Sequence, residues 1–162
     1  MSEKLPYVNG DVVAVPLRDD SSFGLVLIVG HDGVGAAIGY LFDSIHPDQP
    51  TDVTQLTGIG PENVLRASRF GDLGLMNGTW LVVGQHPSWQ EQEWPLLEFG
   101  GRRWAGKYAF TAVYEPEDVS RKNREEPITE DEYELLPRDA FSGSGAVEIV
   151  LTHLLSGKTW RP

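Results

Sequence analysis

The feature that most constrains the fold is a succession of short apolar runs, each of strand length, separated by residues that favour turns. The runs are Val12 to Leu17, Phe23 to Val29, Ala36 to Phe42 and Thr79 to Gln85. Their Val, Ile, Leu and aromatic side chains suit a pleated, half-buried surface. Between the first three lie Arg18-Asp19-Asp20-Ser21-Ser22 and Gly30-His31-Asp32-Gly33. Both are rich in residues that tolerate turn geometry, which predicts consecutive hairpins in an antiparallel meander. Leu96 to Phe99 and Lys107 to Tyr114 resume β character across Gly100-Gly101-Arg102-Arg103, and read as a second hairpin.

The remaining segments are less regular. Val64 to Arg69 follows neither the helical nor the strand period and stays undecided. Asp72 to Gly78 reads as a helical turn ended by Asn77-Gly78. Glu115 to Pro127 has almost no apolar residue besides Val119 and predicts a mobile loop. Thr129-Glu130-Asp131-Glu132 resembles a helix cap opening one short helix that ends before Pro137. The β-branched content of Ala146 to Leu151 favours a last strand that closes the sheet. The predicted fold is therefore one mainly β domain over residues 1–162, a curled antiparallel sheet or partly open β-barrel with one or two short helices.

Charge narrows the partners. Thirteen Lys and Arg against 24 Asp and Glu leave a formal charge of −11, which repels phosphate backbones and anionic lipid. Neither nucleic acid nor membrane is expected as a partner. Residues 115–139 hold ten acids and four bases, a net of −6 in one stretch. That acidity either maintains solubility or complements a basic partner, and charge alone does not distinguish the two. The longest apolar runs, such as Leu25 to Val29 and Trp80 to Val83, fall far short of the roughly 20 residues of a membrane span. No secretory signal opens the chain, and the absence of cysteine agrees with a reducing compartment, so the cytoplasm is the expected location.

Motifs for catalysis fail on context. Gly33-Val34-Gly35-Ala36-Ala37-Ile38-Gly39 superficially matches a dinucleotide-binding turn. The chain to His46-Pro47 is too short for the helix and parallel strand such a turn requires, so the glycines serve a tight hairpin. Ser156-Gly157-Lys158-Thr159 resembles the end of a P-loop, but Thr152 stands where its first glycine belongs. The four histidines, His31, His46, His86 and His153, are 15, 40 and 67 residues apart, with no pair at a metal-binding helical spacing. Thiol chemistry is excluded, and the glycines around Ser144 sit at the wrong offsets for a nucleophile elbow. No catalytic, metal-ligating or cofactor-binding residue is assigned, and no cofactor is expected. Arg102-Arg103-Trp104 with Lys107 reads as a solvated turn.

The candidate partner-binding residues are Trp89, Glu91, Glu93 and Trp94, with Glu115, Glu117 and Asp118 of the acidic stretch. Tryptophan beside charge on a loop is the composition of an interface anchor. Equally, both indoles suit a role as covers folded back over the sheet edge. The sequence leaves both readings open.

Three segments carry a family resemblance: Gly10-Asp11-Val12-Val13-Ala14-Val15-Pro16-Leu17, Phe23-Gly24-Leu25-Val26-Leu27, and Gly78-Thr79-Trp80-Leu81-Val82-Val83-Gly84. Together they resemble the immunity protein 26 family of bacterial polymorphic toxin systems. Asp43-Ser44-Ile45 and the segment from Pro95 to Phe99 extend the likeness, which covers about residues 8 to 115. Gly145-Ala146-Val147-Glu148 is a weaker echo. The resemblance implies a small intracellular antitoxin that binds and neutralises a cognate toxin domain, and it brings no catalytic residues. A small-ligand or peptide-binding β-barrel of housekeeping type is the alternative. The acidic stretch and doubled tryptophan loop depart from the family pattern, as partner-specific parts on a fixed scaffold would.

Overall fold

The computed structural model describes residues 4–18, 21–115, 118–139 and 141–156. The first three runs form β1 (Asp11–Pro16), β2 (Phe23–His31) and β3 (Ala36–Phe42), paired antiparallel as two hairpins. At the second turn Gly33 and Gly35 take φ of +78° and +120°, and Asp32 Oδ1 accepts from the amides of Val34 and Ala36. The glycine-rich segment is therefore a hairpin turn, with conformations that only glycine adopts readily.

The undecided stretch becomes β4 (Val64–Gly71), antiparallel to β3 from Ala36↔Gly71 to Phe42↔Val64. A short helix α1 (Leu73–Met76) follows and ends at Asn77-Gly78, where φ of +81° at Gly78 reverses the chain. Next, β5 (Leu81–Gln85) returns to pair with β1, beginning two residues later than the sequence predicts. A second sheet contains β6 (Leu97–Arg103), β7 (Tyr108–Glu115) and β8 (Asp118–Pro127), all antiparallel. The chain ends in α2 (Glu130–Leu135), the two-residue β9 (Phe141–Ser142) and α3 (Ser144–Leu155). The six-stranded sheet has the order β5-β1-β2-β3-β4-β9, with β9 parallel to β4.

The central strands β1, β2 and β3 of the six-stranded sheet are buried on both faces. Leu25, Leu27, Ile38, Tyr40 and Phe42 point toward the second sheet and pack with its Leu97, Phe99, Phe110 and Ala112. Their neighbours Val13, Val15, Val26, Ile28 and Leu41 point the opposite way, into a second core with Phe70, Leu75, Trp80, Val147 and Leu151. Side chains alternate across a strand, so two covered faces demand the unbroken apolar runs seen in β1 and β2. Each fully buried large apolar side chain contributes about 1.5–3 kcal/mol.

Two segments depart from expectation. Ala146 to Leu151 is not a strand but the middle of α3, because Val147, Val150, Leu151, Leu154 and Leu155 all reach the second core. Those positions follow the i, i+3, i+4, i+7, i+8 spacing of a helix stripe. Inside the helix Glu148 is buried, accepting from Trp80 Nε1 at 2.9 Å and Arg18 Nε at 2.9 Å. The stretch expected as a loop from Glu115 is instead mostly β8. Backbone pairing to β7 makes it a strand despite its nearly apolar-free sequence, and charge on an outer strand discourages further pairing. There are three α-helices among the described residues, against the one or two expected, and the third is the longest. The predicted Thr129 cap is present, its side chain accepting from the Glu132 amide.

The two sheets are joined at one side. Asp139 N donates to Gly100 O of β6, while Phe141 and Ser142 pair with β4. Arg69 on β4 donates to Asp139 Oδ1 and to Tyr114 Oη of β7, and Tyr114 Oη donates to the same carboxylate at 2.6 Å. No closed barrel results, because β4 pairs with this connection only at Arg69 and Phe70.

Removing the Leu151 side chain tests the helical assignment of α3. Leu151→Ala is expected to cost about 2–5 kcal/mol in urea unfolding, and Ile149→Ala, at a position 37% exposed, less than about 1 kcal/mol. Equal losses at both positions are what a strand buried on both faces would give.

Candidate functional site

The segment from His86 to Leu96 leaves the six-stranded sheet after β5 and enters the second sheet at β6. Its base is tied to the Gly-Asp start of β1. The His86 amide donates to Gly10 O at 2.7 Å, and Gly10 N donates to Ile28 O at 2.6 Å. Gly10 has φ of +95°, and a Cβ there would stand 2.3 Å from Trp89 Nε1. Glycine is thus required for its conformation and for the seat of the indole. Asp11 beside it is buried, accepting from Val8 N at 2.9 Å and facing Gln85 Nε2 at 3.3 Å.

His86 is buried, with a hydrogen-bond partner at each ring nitrogen. Its Nε2 lies 2.7 Å from Ile59 O, an acceptor only, while Nδ1 accepts from Ser88 N at 3.1 Å. The ring meets Trp94 edge-on at 5.4 Å between centroids. Trp94 also stacks on Tyr40, with planes 21° apart, and meets the edge of Phe42. The Tyr40 hydroxyl donates to Pro95 O, and burial raises its pKa to about 12. It remains a neutral donor across the ordinary pH range.

Both tryptophans are half-buried and pack against the core between the sheets. The rings therefore cover the sheet edge, the second of the two readings the sequence left open. Between them a tight turn closes with Glu91 N donating to Ser88 O and Gln92 Nε2 donating to Ser88 Oγ. Gln90, Glu91, Gln92 and Glu93 are exposed on this turn. The result is a short acidic tip on a packed aromatic base.

Of the acidic stretch, Glu115 and Asp118 lie at the end of the second sheet where β6 begins. The pairing Leu97↔Tyr114 sets the end of β7 beside the start of β6, into which the tryptophan segment leads. Glu115 is exposed there and pairs with Asp118 through the backbone. Glu117 lies outside the described residues, as do Gly157 to Thr159 of the P-loop look-alike. Glu62, which the sequence did not single out, is exposed and lines a cleft with His86, Ser88 and Gln92. Its signal was faint, a single acid in a Pro-Glu-Asn turn.

Elsewhere the basic hairpin tip is neutralised. Arg102 pairs with Glu130 and stacks on Tyr133, and Arg103 pairs with Glu125. Among the described residues no group of three or more His, Asp or Glu side chains gathers in a way that would hold a metal ion, and no helix is long and apolar enough to cross a membrane.

The fold is a mainly β framework that presents an acidic loop on a packed aromatic base. The chain belongs to the immunity protein 26 family, whose model matches residues 8–110, more than half of its 162 residues. Neither a curated protein nor a solved structure matches it. The match spans the Gly10–Asp11 start, the Trp80 segment and the whole tryptophan loop, and stops before β8.

The loop's two kinds of residue separate by stability. Trp94→Ala is expected to lower unfolding free energy by about 2–4 kcal/mol, because the ring touches Tyr40, Phe42 and His86. Glu91→Gln and Glu93→Gln should stay within about 0.5 kcal/mol of the parent. Chemical denaturation with tryptophan fluorescence checks both; a silent Trp94→Ala would show that the ring does not hold the loop.

Proposed function

We propose that this chain is an immunity protein that binds a cognate toxin domain and neutralises it by protein–protein contact, without catalysis of its own. Family membership carries the reading. The contact surface we assign is the acidic tip of Glu91 and Glu93 on the Trp89–Trp94 base, extended by Glu115, Glu117 and Asp118 of the acidic stretch. Carboxylates on a pre-ordered loop lose little conformational freedom on binding. A net charge of −11 steers the chain toward a basic partner and raises the association rate at low salt. Toxins that act on nucleic acid present basic clefts, and an acidic tip competes for such a cleft.

Co-expression with the toxin domain encoded beside it is the test. The parent chain is expected to rescue growth and to co-elute with the toxin on gel filtration. The double variant Glu91→Lys/Glu93→Lys should keep its fold yet lose affinity by about tenfold or more, with the loss shrinking at high salt. A toxin that stays lethal beside the parent chain, with no complex recovered, refutes the reading. An unaltered complex with the double variant moves the contact away from the loop.

A further inference from the structure

β4 has β3 on one side along its whole length, but β9 on the other side only at Arg69 and Phe70. Its first five residues, Val64 to Ser68, thus form an open edge facing the start of β6. Two adjoining clefts of about 370 and 170 Å³ follow this edge and share Arg66, Ala67 and Pro137. Between them they touch every residue from Val64 to Arg69. Side chains alternate between faces of a strand, so a space that meets all of them runs along its edge.

The walls are apolar and open. Leu96 is 61% exposed, Leu135 is 86% exposed, and Leu65 and Pro95 line the same space. The floor is cationic. Arg66 is half-buried, and among the described residues neither a side-chain hydrogen bond nor a neighbouring carboxylate accompanies its guanidinium. Burial and the adjoining charge of Arg138 both lower its pKa. Arg138 is held in place, donating to the Tyr133 and Leu136 carbonyls and stacking on Tyr133, with Glu134 3.7 Å away. The carboxylate on the opposite wall, Glu98, accepts from Thr111 Oγ1 at 2.8 Å. A half-buried guanidinium with five donors and no anion is a group poised for one.

We infer that this seam is a docking groove for an extended segment of a partner protein, in which a side-chain carboxylate flanked by apolar residues pairs with Arg66. The segment adds to the β4 edge, where main-chain hydrogen bonds supply affinity. Alternate side chains then meet Leu65, Leu96 and Leu135 on one side and Arg66 on the other. In a chain that otherwise repels anions, the groove is where an acidic residue is welcome. The inference rests on the reading that the chain acts by binding protein, and it concerns a different surface from the acidic tip.

The test uses the chain alone, ¹⁵N-labelled, titrated with amidated five-residue peptides that place Glu between Val and Leu residues. Gln-centred counterparts and inorganic phosphate are the comparisons. Expected are saturable shifts of the Arg66 side-chain signal and of the Val64 to Ser68 amides with the Glu peptides. Binding should be about tenfold or more weaker for the Gln peptides. R66Q should abolish the preference for Glu over Gln. Leu135→Asp, at an exposed site that leaves the fold intact, should weaken the Glu peptides. No shift at millimolar peptide, an R66Q variant that keeps the preference, or phosphate acting as well as peptide without moving the β4 amides would each overturn the groove. A toxin complex that fails while the peptides bind overturns only the toxin reading.

Discussion

Everything in this structure depends on three central strands that have no wet face. β1, β2 and β3 bury side chains on both sides, so exposing either face would leave a large apolar patch in water. The second sheet covers one face. α3, with α1 and Tyr7, covers the other. Apolar contact is non-directional, and buried polar groups set where each cover sits. On one side Glu148 receives Trp80 and Arg18; on the other Asp139 receives Arg69 and Tyr114. Each is a buried carboxylate met by two donors, the condition under which such burial is tolerated.

With both faces used, recognition is left to loops and edges. The tryptophan loop shows how the framework supports such a surface: Gly10 has no side chain because Trp89 occupies its space, and Trp94 is wedged between Tyr40 and His86. The Gly-Asp start of β1 thus sets the base of the acidic tip as well as the first hairpin. Charge is distributed unevenly around this framework. Glu91 and Glu93 stand exposed on the tryptophan loop, whereas the clefts along the β4 edge hold Arg66, Arg69 and Arg138.

Much of this was legible in the chain itself. The three hairpin-forming runs, the Asn77-Gly78 turn and the Thr129 cap stand where their residues put them, and the glycine-rich turn needs only local geometry. β8 was hidden because its strand identity comes from backbone pairing with β7, and backbone pairing leaves no mark on side-chain composition. β4 was hidden because its outer positions face a seam and carry Arg66, Ser68 and Arg69 in place of alternating apolar residues. The acids at Glu91, Glu93 and Glu115 were visible singly. That Glu115 ends beside the start of β6 was a matter of register.

The sequence by itself determined where the chain turns and that the central strands are apolar on both sides. Only the tertiary structure decided what covers them. Ala146 to Leu151 shows why: the preference of its β-branched residues against helix amounts to about half a kcal/mol or less per residue. Burying Val147 and Leu151 against the open face of the sheet contributes about 1.5–3 kcal/mol for each. Burial outweighs the local preference, and it becomes possible only once the sheet has formed and offers a face to cover.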